Sequence, residues 1–183
     1  MAQRLVVGLT GSFGSGKTTV NKMFQSFGAK KVISADQIVR DKFWPSKVRR
    51  KQIAREVFAN PKKRKALEAR IHPYVRRKMI SAIKRTKRGV IVLEVPLLFE
   101  AKFDRPCDVT VTVVAGKANL TKRLARLGFN RKEINARLKA QLSEAKKIKK
   151  SDFIIPNKGS KKLLRKNAKF VWQKLRLQFK KEN

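Results

Sequence analysis

With 183 residues, 42% of them hydrophobic, the chain has material for one domain with a real core and room for a small insertion. A single cysteine excludes an internal disulfide and a cysteine metal cluster, and no apolar run nears the ~18 residues of a membrane-spanning helix. Lys and Arg number 48 against 12 Asp and Glu, a net charge of +36 that excludes an acidic surface and favours polyanions, although the cations are spread along the chain and not gathered in one arm.

The first predicted strand is Leu5–Leu9, too short for a signal-peptide core, and with the lone cysteine this points to a reducing cytoplasm. Directly after it, Gly11-Ser12-Phe13-Gly14-Ser15-Gly16-Lys17-Thr18 fits G-x-x-x-x-G-K-[ST], and a helix-compatible stretch, Thr19–Phe27, follows. Such a loop curls backbone N–H groups around the β-phosphate of a nucleotide. Gly11, Gly14, Ser15 and Gly16 would form the cradle, where a Cβ on a glycine would strike the phosphate. Lys17 would reach the β- and γ-phosphates, the Thr18 hydroxyl would ligate Mg²⁺, and Thr19 would open the helix whose positive end faces the anion. The motif says nucleotide triphosphate and Mg²⁺; it does not name the acceptor.

Lys31–Ser34 is the second predicted strand, with Asp36 just past it and Arg40 one helical turn later. A carboxylate there can accept the proton of an acceptor hydroxyl during phosphoryl transfer. The plainer role is an N-cap for a helix Gln37–Phe43, and the two roles are compatible. The segment from Ile38 to Arg88 reads as mostly helical. Trp44-Pro45-Ser46 breaks it, with Ser46 a cap for a helix from Lys47, and Pro61 opens the next helix. Pro73 interrupts that helix and pushes His72 out of helical geometry, while Leu67, Ile71, Val75, Met79 and Ile83 recur every four residues and give a buried stripe if the break is only a kink. His72, the only histidine, is either bonded locally at the helix break or an acceptor-site group.

Val90–Glu94 is the third strand, and Glu94 at its end can hold Mg²⁺ through water. Val109–Val114 is the fourth. Asn119–Leu127 and a helix from Arg131 to about Lys149 follow as an arginine-bearing hairpin. Phe153–Ile155 is the fifth strand, and a last helix, Lys161 to about Lys180, buries Leu164, Ala168, Val171 and Leu175. Strands alternating with helices predict an α/β fold with a parallel sheet. Ligands in such folds gather at the carboxyl ends of strands, where the glycine-rich loop, Asp36, Glu94 and Asn157 all fall.

Taken together, these residues resemble the dephospho-CoA kinase family. The family pattern G-L-T-G-x-x-G-S-G-K-[ST] appears as Gly8-Leu9-Thr10-Gly11-Ser12-Phe13-Gly14-Ser15-Gly16-Lys17-Thr18. Its D-A-D-x-x-x-R appears as Ser34-Ala35-Asp36-Gln37-Ile38-Val39-Arg40, and its V-F-x-(D/N)-P as Val57-Phe58-Ala59-Asn60-Pro61. Its L-E-x-x-x-H-P is Leu67-Glu68-Ala69-Arg70-Ile71-His72-Pro73, its P-L-L-F-E is Pro96-Leu97-Leu98-Phe99-Glu100, and its R-x-x-x-Q is Arg137-Leu138-Lys139-Ala140-Gln141. The stretch from Ser151 to Gly159 matches the pattern ending Asn157-Lys158-Gly159. The matches run nearly end to end in the family's order, and the His-Pro, Pro-Leu-Leu-Phe-Glu and Asn-x-Gly set is far more specific than the loop.

The resemblance implies a P-loop NTPase-type three-layer sandwich with a parallel five-stranded sheet, spanning 1–183 as one domain, with a helical lid at 117–149 and a reduced helical acceptor region at 38–88. It implies transfer of a phosphoryl group from ATP, with Mg²⁺, to the ribose 3′-hydroxyl of 3′-dephospho-CoA. Asp36 would be the base, with Arg40 and His72 near the acceptor and Pro96, Leu97, Leu98 and Glu100 shaping its pocket. Asn157 and Gly159 would border the adenine of ATP. Arg123, Arg126 and Arg137 would be lid cations on the triphosphate, where a planar fork suits phosphate.

Three departures stand out. Ser34 replaces the first Asp of D-A-D, Ser12 and Phe13 are unusual in the loop, and the stretch from Asp41 to Glu56 is short for an acceptor-covering segment. That shortening leaves open a related small-molecule or nucleoside-monophosphate kinase. The charge leaves open a nucleotide-dependent nucleic-acid binder on a kinase scaffold. The set Lys17, Thr18, Asp36 and Glu94 favours an enzyme, since a binder has no use for a base beside the γ-phosphate. A monomer, no membrane association and only weak, non-specific nucleic-acid binding are expected.

Overall fold

Five short runs of Val, Ile and Leu become the strands of one sheet in the computed structural model, which describes residues 4–44, 53, 56–57 and 60–181. They are β1 (Arg4–Gly11), β2 (Lys31–Ser34), β3 (Gly89–Glu94), β4 (Val109–Val114) and β5 (Phe153–Pro156). All pairings are parallel, in the order β2-β3-β1-β4-β5. The register sets Val7 between Val92 and Val109, and Leu9 between Glu94 and Val111. Strands β1 and β4 are buried almost throughout, as parallel strands covered on both faces must be.

Alternation along β1 assigns its side chains to the two faces. Leu5, Val7 and Leu9 join one core with α1 (Lys17–Ser26), and that core is closed by Leu164, Ala168, Val171, Trp172 and Leu175 of the final helix. Val6 belongs to the other core, with Ile91 and Leu93 under a long helix from Pro61 to Arg85. Gly8 shares that second face because nothing larger fits: a Cβ would stand 2.9 Å from Cys107 Sγ and 3.0 Å from Leu98 Cδ2.

Three helix boundaries differ from the sequence expectation. Helix α2 spans Ala35–Phe43, and its cap is Ser34, whose Oγ accepts from Gln37 N at 3.4 Å, so Asp36 lies in the first turn and is no cap. Serine is among the residues that favour this capping position. Helix α3 runs from Pro61 to Arg85 straight through Pro73, with His72 inside it. Ile71, Val75, Met79 and Ile83 bury on both sides of the proline, and Pro73 itself is exposed, so packing overrides the lost backbone bond. Asn60 caps α3 through bonds from Lys62 N and Lys63 N.

The expected single helix from Arg131 is two. After α4 (Lys117–Arg126), α5 covers Arg131–Lys139 and α6 covers Glu144–Lys150, with Ser143 capping α6 through Lys146 N. Helix α7 is Lys161–Lys181. The expected cap Ser46 with its helix from Lys47, and most of the shortened stretch to Glu56, lie outside the described residues. No helix among the described residues is long and apolar enough to cross a membrane.

Candidate active site

The loop between β1 and α1 turns on positive φ at Gly11, Gly14 and Gly16. Close packing reinforces all three. A Cβ on Gly11 would meet the Val113 carbonyl oxygen at 2.5 Å, one on Gly14 would meet Leu124 Cδ2 at 2.9 Å, and one on Gly16 would collide with Asn157 Nδ2. Inside the curl Lys17 is buried, its ammonium donating to the carbonyls of Gly11 at 2.9 Å and Ser12 at 3.1 Å. Burial lowers its pKa to about 8, while Asp36 and then Glu94 pull it back up. Lys17 therefore lies within the electrostatic reach of Asp36.

At the head of α1, Thr18 Oγ1 donates to Glu94 Oε1 at 3.0 Å. The other carboxylate oxygen of Glu94 accepts from Asn21 Nδ2 at 2.6 Å. Thr18 and Asn21 are three residues apart and share one face of α1, which turns both toward the end of β3. Asn21 was not singled out from sequence; its spacing from Thr18 was the available signal. Thr19 follows Thr18 in the first turn, its N–H bonded to Gly16 O at 3.0 Å.

On the far side of Lys17 a cavity of about 350 Å³ opens between α2, α3 and the loop after β3. Asp36, Arg40, His72, Pro96 and Leu97 line it, together with Glu68, Phe13 and Arg137. Asp36 is exposed, at the first turn of α2. Arg40 donates to Gln37 Oε1 on its own helix, and Gln37 in turn donates to Asp41 at 2.6 Å. His72 meets Phe103 edge to face at 5.9 Å, and burial holds its pKa below the usual value despite Glu68.

Two residues expected in the pocket wall sit elsewhere. Leu98 is fully buried in the core beneath Gly8. The Glu100 carboxylate faces the fully buried ammonium of Lys147 at 3.0 Å. Lys147 went unnoticed in the sequence because nothing separates one buried lysine from 48 basic residues.

The lid arginines divide three ways. Arg123 donates to the carbonyl of Asn157 at 2.8 Å and to its Oδ1 at 3.2 Å, and Asn157 Nδ2 donates to Ser15 O at 2.7 Å. This series of bonds ties α4 to the phosphate loop through the end of β5. Arg137 stacks over Phe13 at 4.9 Å and Phe129 at 5.0 Å, and the two rings meet edge to face at 5.4 Å. The N–H of Phe13 also donates to Gln141 Oε1 at 3.0 Å. Arg126 is exposed in the last turn of α4. Gly159 is likewise exposed, two residues past Asn157.

Sheet order and glycine-rich loop define a phosphate-loop kinase, and comparison with known proteins narrows the class. The family model described as dephospho-CoA kinase matches residues 45–162. A dephospho-CoA kinase of Symbiobacterium thermophilum is 37% identical over 192 residues, covering 92% of this chain and 80% of that protein. One from Thermus thermophilus is 33% identical over 187 residues, covering 93% and 92%. Among solved structures, a Thermus thermophilus protein superposes with a TM-score of 0.75 at 33% identity, covering 94% of this chain and 98% of that one. A dephospho-CoA kinase from Campylobacter jejuni gives 0.62 at 26% identity, covering 94% and 97%. A shikimate kinase from Bacteroides thetaiotaomicron gives 0.63 at 16% identity, covering 94% and 98%, a likeness of fold alone. The chain belongs to the dephospho-CoA kinase family.

Proposed function

We propose that the chain carries out the family's reaction, the last step of coenzyme A synthesis: transfer of the γ-phosphoryl group of ATP to the ribose 3′-hydroxyl of dephospho-CoA. The observation that carries the reading is the position of Asp36. It lines the 350 Å³ cavity and is also the strongest charge acting on Lys17 in the phosphate loop. A carboxylate so placed bridges the acceptor and donor sides of the cleft.

Derived from these residues, Lys17 leaves the Gly11 and Ser12 carbonyls and binds β- and γ-phosphate oxygens, exchanging neutral acceptors for anionic ones. Asp36 accepts the proton of the acceptor hydroxyl as the hydroxyl oxygen bonds to the γ-phosphorus and the bond from that phosphorus to the bridging oxygen breaks, with ADP as leaving group. Pro96 and Leu97 supply apolar wall, and Arg40 supplies positive charge beside an anionic acceptor. Thr18 Oγ1 and Glu94 Oε1, both hard oxygens 3.0 Å apart, fit Mg²⁺, with Glu94 acting directly or through water. The ion supplies charge neutralisation on the β- and γ-oxygens. Arg137, stacked on Phe13 at the loop tip, and Arg123, bonded to Asn157, are the cations that would turn to the triphosphate. Asn157, engaged with Ser15 and Arg123, takes the role of holding the loop beside the adenine side of the site.

The test is direct. Pure protein with ATP, Mg²⁺ and dephospho-CoA should yield coenzyme A by mass, one per ADP formed. Inertness toward dephospho-CoA with efficient phosphorylation of a nucleoside monophosphate would overturn the substrate.

A further inference from the structure

The lid departs after β4 and returns at α6, and a carboxylate grips each junction. Glu144, in the first turn of α6, accepts the N–H of Ala115 at 2.9 Å and of Gly116 at 3.0 Å. Glu100 accepts the N–H of Leu142 at 2.8 Å. Lys147 lies one turn along α6 from Glu144 and is fully buried. Its ammonium pairs with Glu100 Oε1 at 3.0 Å, donates to the Pro96 carbonyl at 2.6 Å and reaches Thr10 Oγ1 at 3.5 Å. Thr10 donates to the same carbonyl at 3.2 Å. Three segments thus meet on one ammonium: β1 at the mouth of the phosphate loop, the wall of the acceptor cavity, and the returning foot of the lid through Glu100.

A stability role explains this poorly. Desolvation opposes the charge, and apolar side chains of similar volume usually fill such a space as well or better. What they cannot supply is direction, because an ammonium fixes several acceptors at set distances from one point. The residues fixed are those that must be in register for transfer. Leu142 follows Gln141, which holds the N–H of Phe13 at the loop tip, and Pro96 precedes Leu97 in the cavity wall.

We propose that Lys147 and Glu100 are positioning residues for phosphoryl transfer, locking the foot of the lid and the acceptor wall to the end of β1 so that donor, base and acceptor share one frame. The proposal rests on the kinase reading above. Slackening the frame displaces the acceptor more than the nucleotide, whose loop keeps its own contacts. Water then competes: its oxygen bonds to the γ-phosphorus, the bond to the bridging oxygen of ADP breaks, and ADP and inorganic phosphate form without coenzyme A.

The experiment compares the parent with Lys147→Met and with Lys147→Met/Glu100→Met, reading thermal stability, KM for each substrate, and coenzyme A formed per ADP. The single change leaves the Glu100 carboxylate without its cation and lowers Tm; the double change restores Tm. Both raise KM for dephospho-CoA about tenfold or more, with little change in KM for ATP, and lower the product ratio. A stable double variant with parental KM and product ratio overturns the proposal. So does failure of both variants to fold, which assigns the pair to stability alone. A parent inert toward dephospho-CoA refutes the kinase reading instead, and is seen before any variant is made.

Discussion

Lys17 is only 7% exposed, and burial lowers the pKa of its ammonium from 10.5 to about 8. Its charged form therefore burdens the empty fold below pH 8, and that burden lifts as pH rises toward 10.5, because there the unfolded chain binds the proton and the folded one does not. Triphosphate reverses the preference by placing anions on the ammonium. Nucleotide binding should accordingly take up a proton between about pH 8 and 10 and weaken as pH climbs through that range. Calorimetric titration in buffers of different ionisation enthalpy checks it, and no proton uptake at pH 9 would show that Lys17 is not the group titrating. Asp36 can be separated from the loop: Asp36→Asn should bind ATP as the parent does and lose about 10²–10⁴ in transfer rate, the usual worth of a general base. Near-normal turnover in that variant removes Asp36 from the chemistry.

Helix α3 carries the cost of a proline for the sake of what flanks it. Pro73 leaves the carbonyl four residues earlier without its helical donor, while Glu68 and His72, just before it, line the cavity proposed for the acceptor. Pro73→Ala should raise thermal stability, by up to about 3 kcal/mol, and raise KM for dephospho-CoA as the cavity-lining turn relaxes. Melting and steady-state kinetics on one preparation test both halves; a lower Tm would mean that the surrounding packing depends on the ring. This helix also shows where sequence reading stops. All five strands could be read from short apolar or β-branched runs: the inner strands β3, β1 and β4 are buried on both faces, and the edge strands β2 and β5 still carry Val32-Ile33 and Phe153-Ile154-Ile155. The proline and the gap between α5 and α6 were misjudged because tertiary contacts decide them. Leu142 N bonds Glu100, Gln141 holds Phe13 N, Ser143 caps α6 and Glu144 binds Ala115 and Gly116, and such partners across the fold favour a break at 140–143 over a continuous helix. The site divides the same way. Glycines, Lys17, Thr18 and Glu94 announce themselves by local spacing, whereas Asn21, Lys147 and the burial of Leu98 follow from which faces the sheet brings together.

For the molecule as a whole, a charge of +36 exceeds anything a cleft for two anionic substrates requires. Counterion release then gives binding to any nucleic acid at low salt, falling by about 10³–10⁵ between 50 and 200 mM for roughly 6–10 phosphate contacts. RNA should inhibit the kinase at low ionic strength and cease to do so near physiological salt. Gel-shift and activity assays along a salt series check this, and a sequence-selective complex surviving high salt would mark RNA as a true partner. The sheet order has a consequence in time. Val7 is an early residue of the chain, yet its partners are Val92 on one side and Val109 on the other. At about 5–20 residues per second, a ribosome needs on the order of 5–20 s to make the second of them. Until then β1, the central strand, keeps at least one edge open, even after β3 has paired with the other. The nascent chain must be kept from aggregating by its surroundings, and a synthesis stalled before β4 would release a product with its central strand still open.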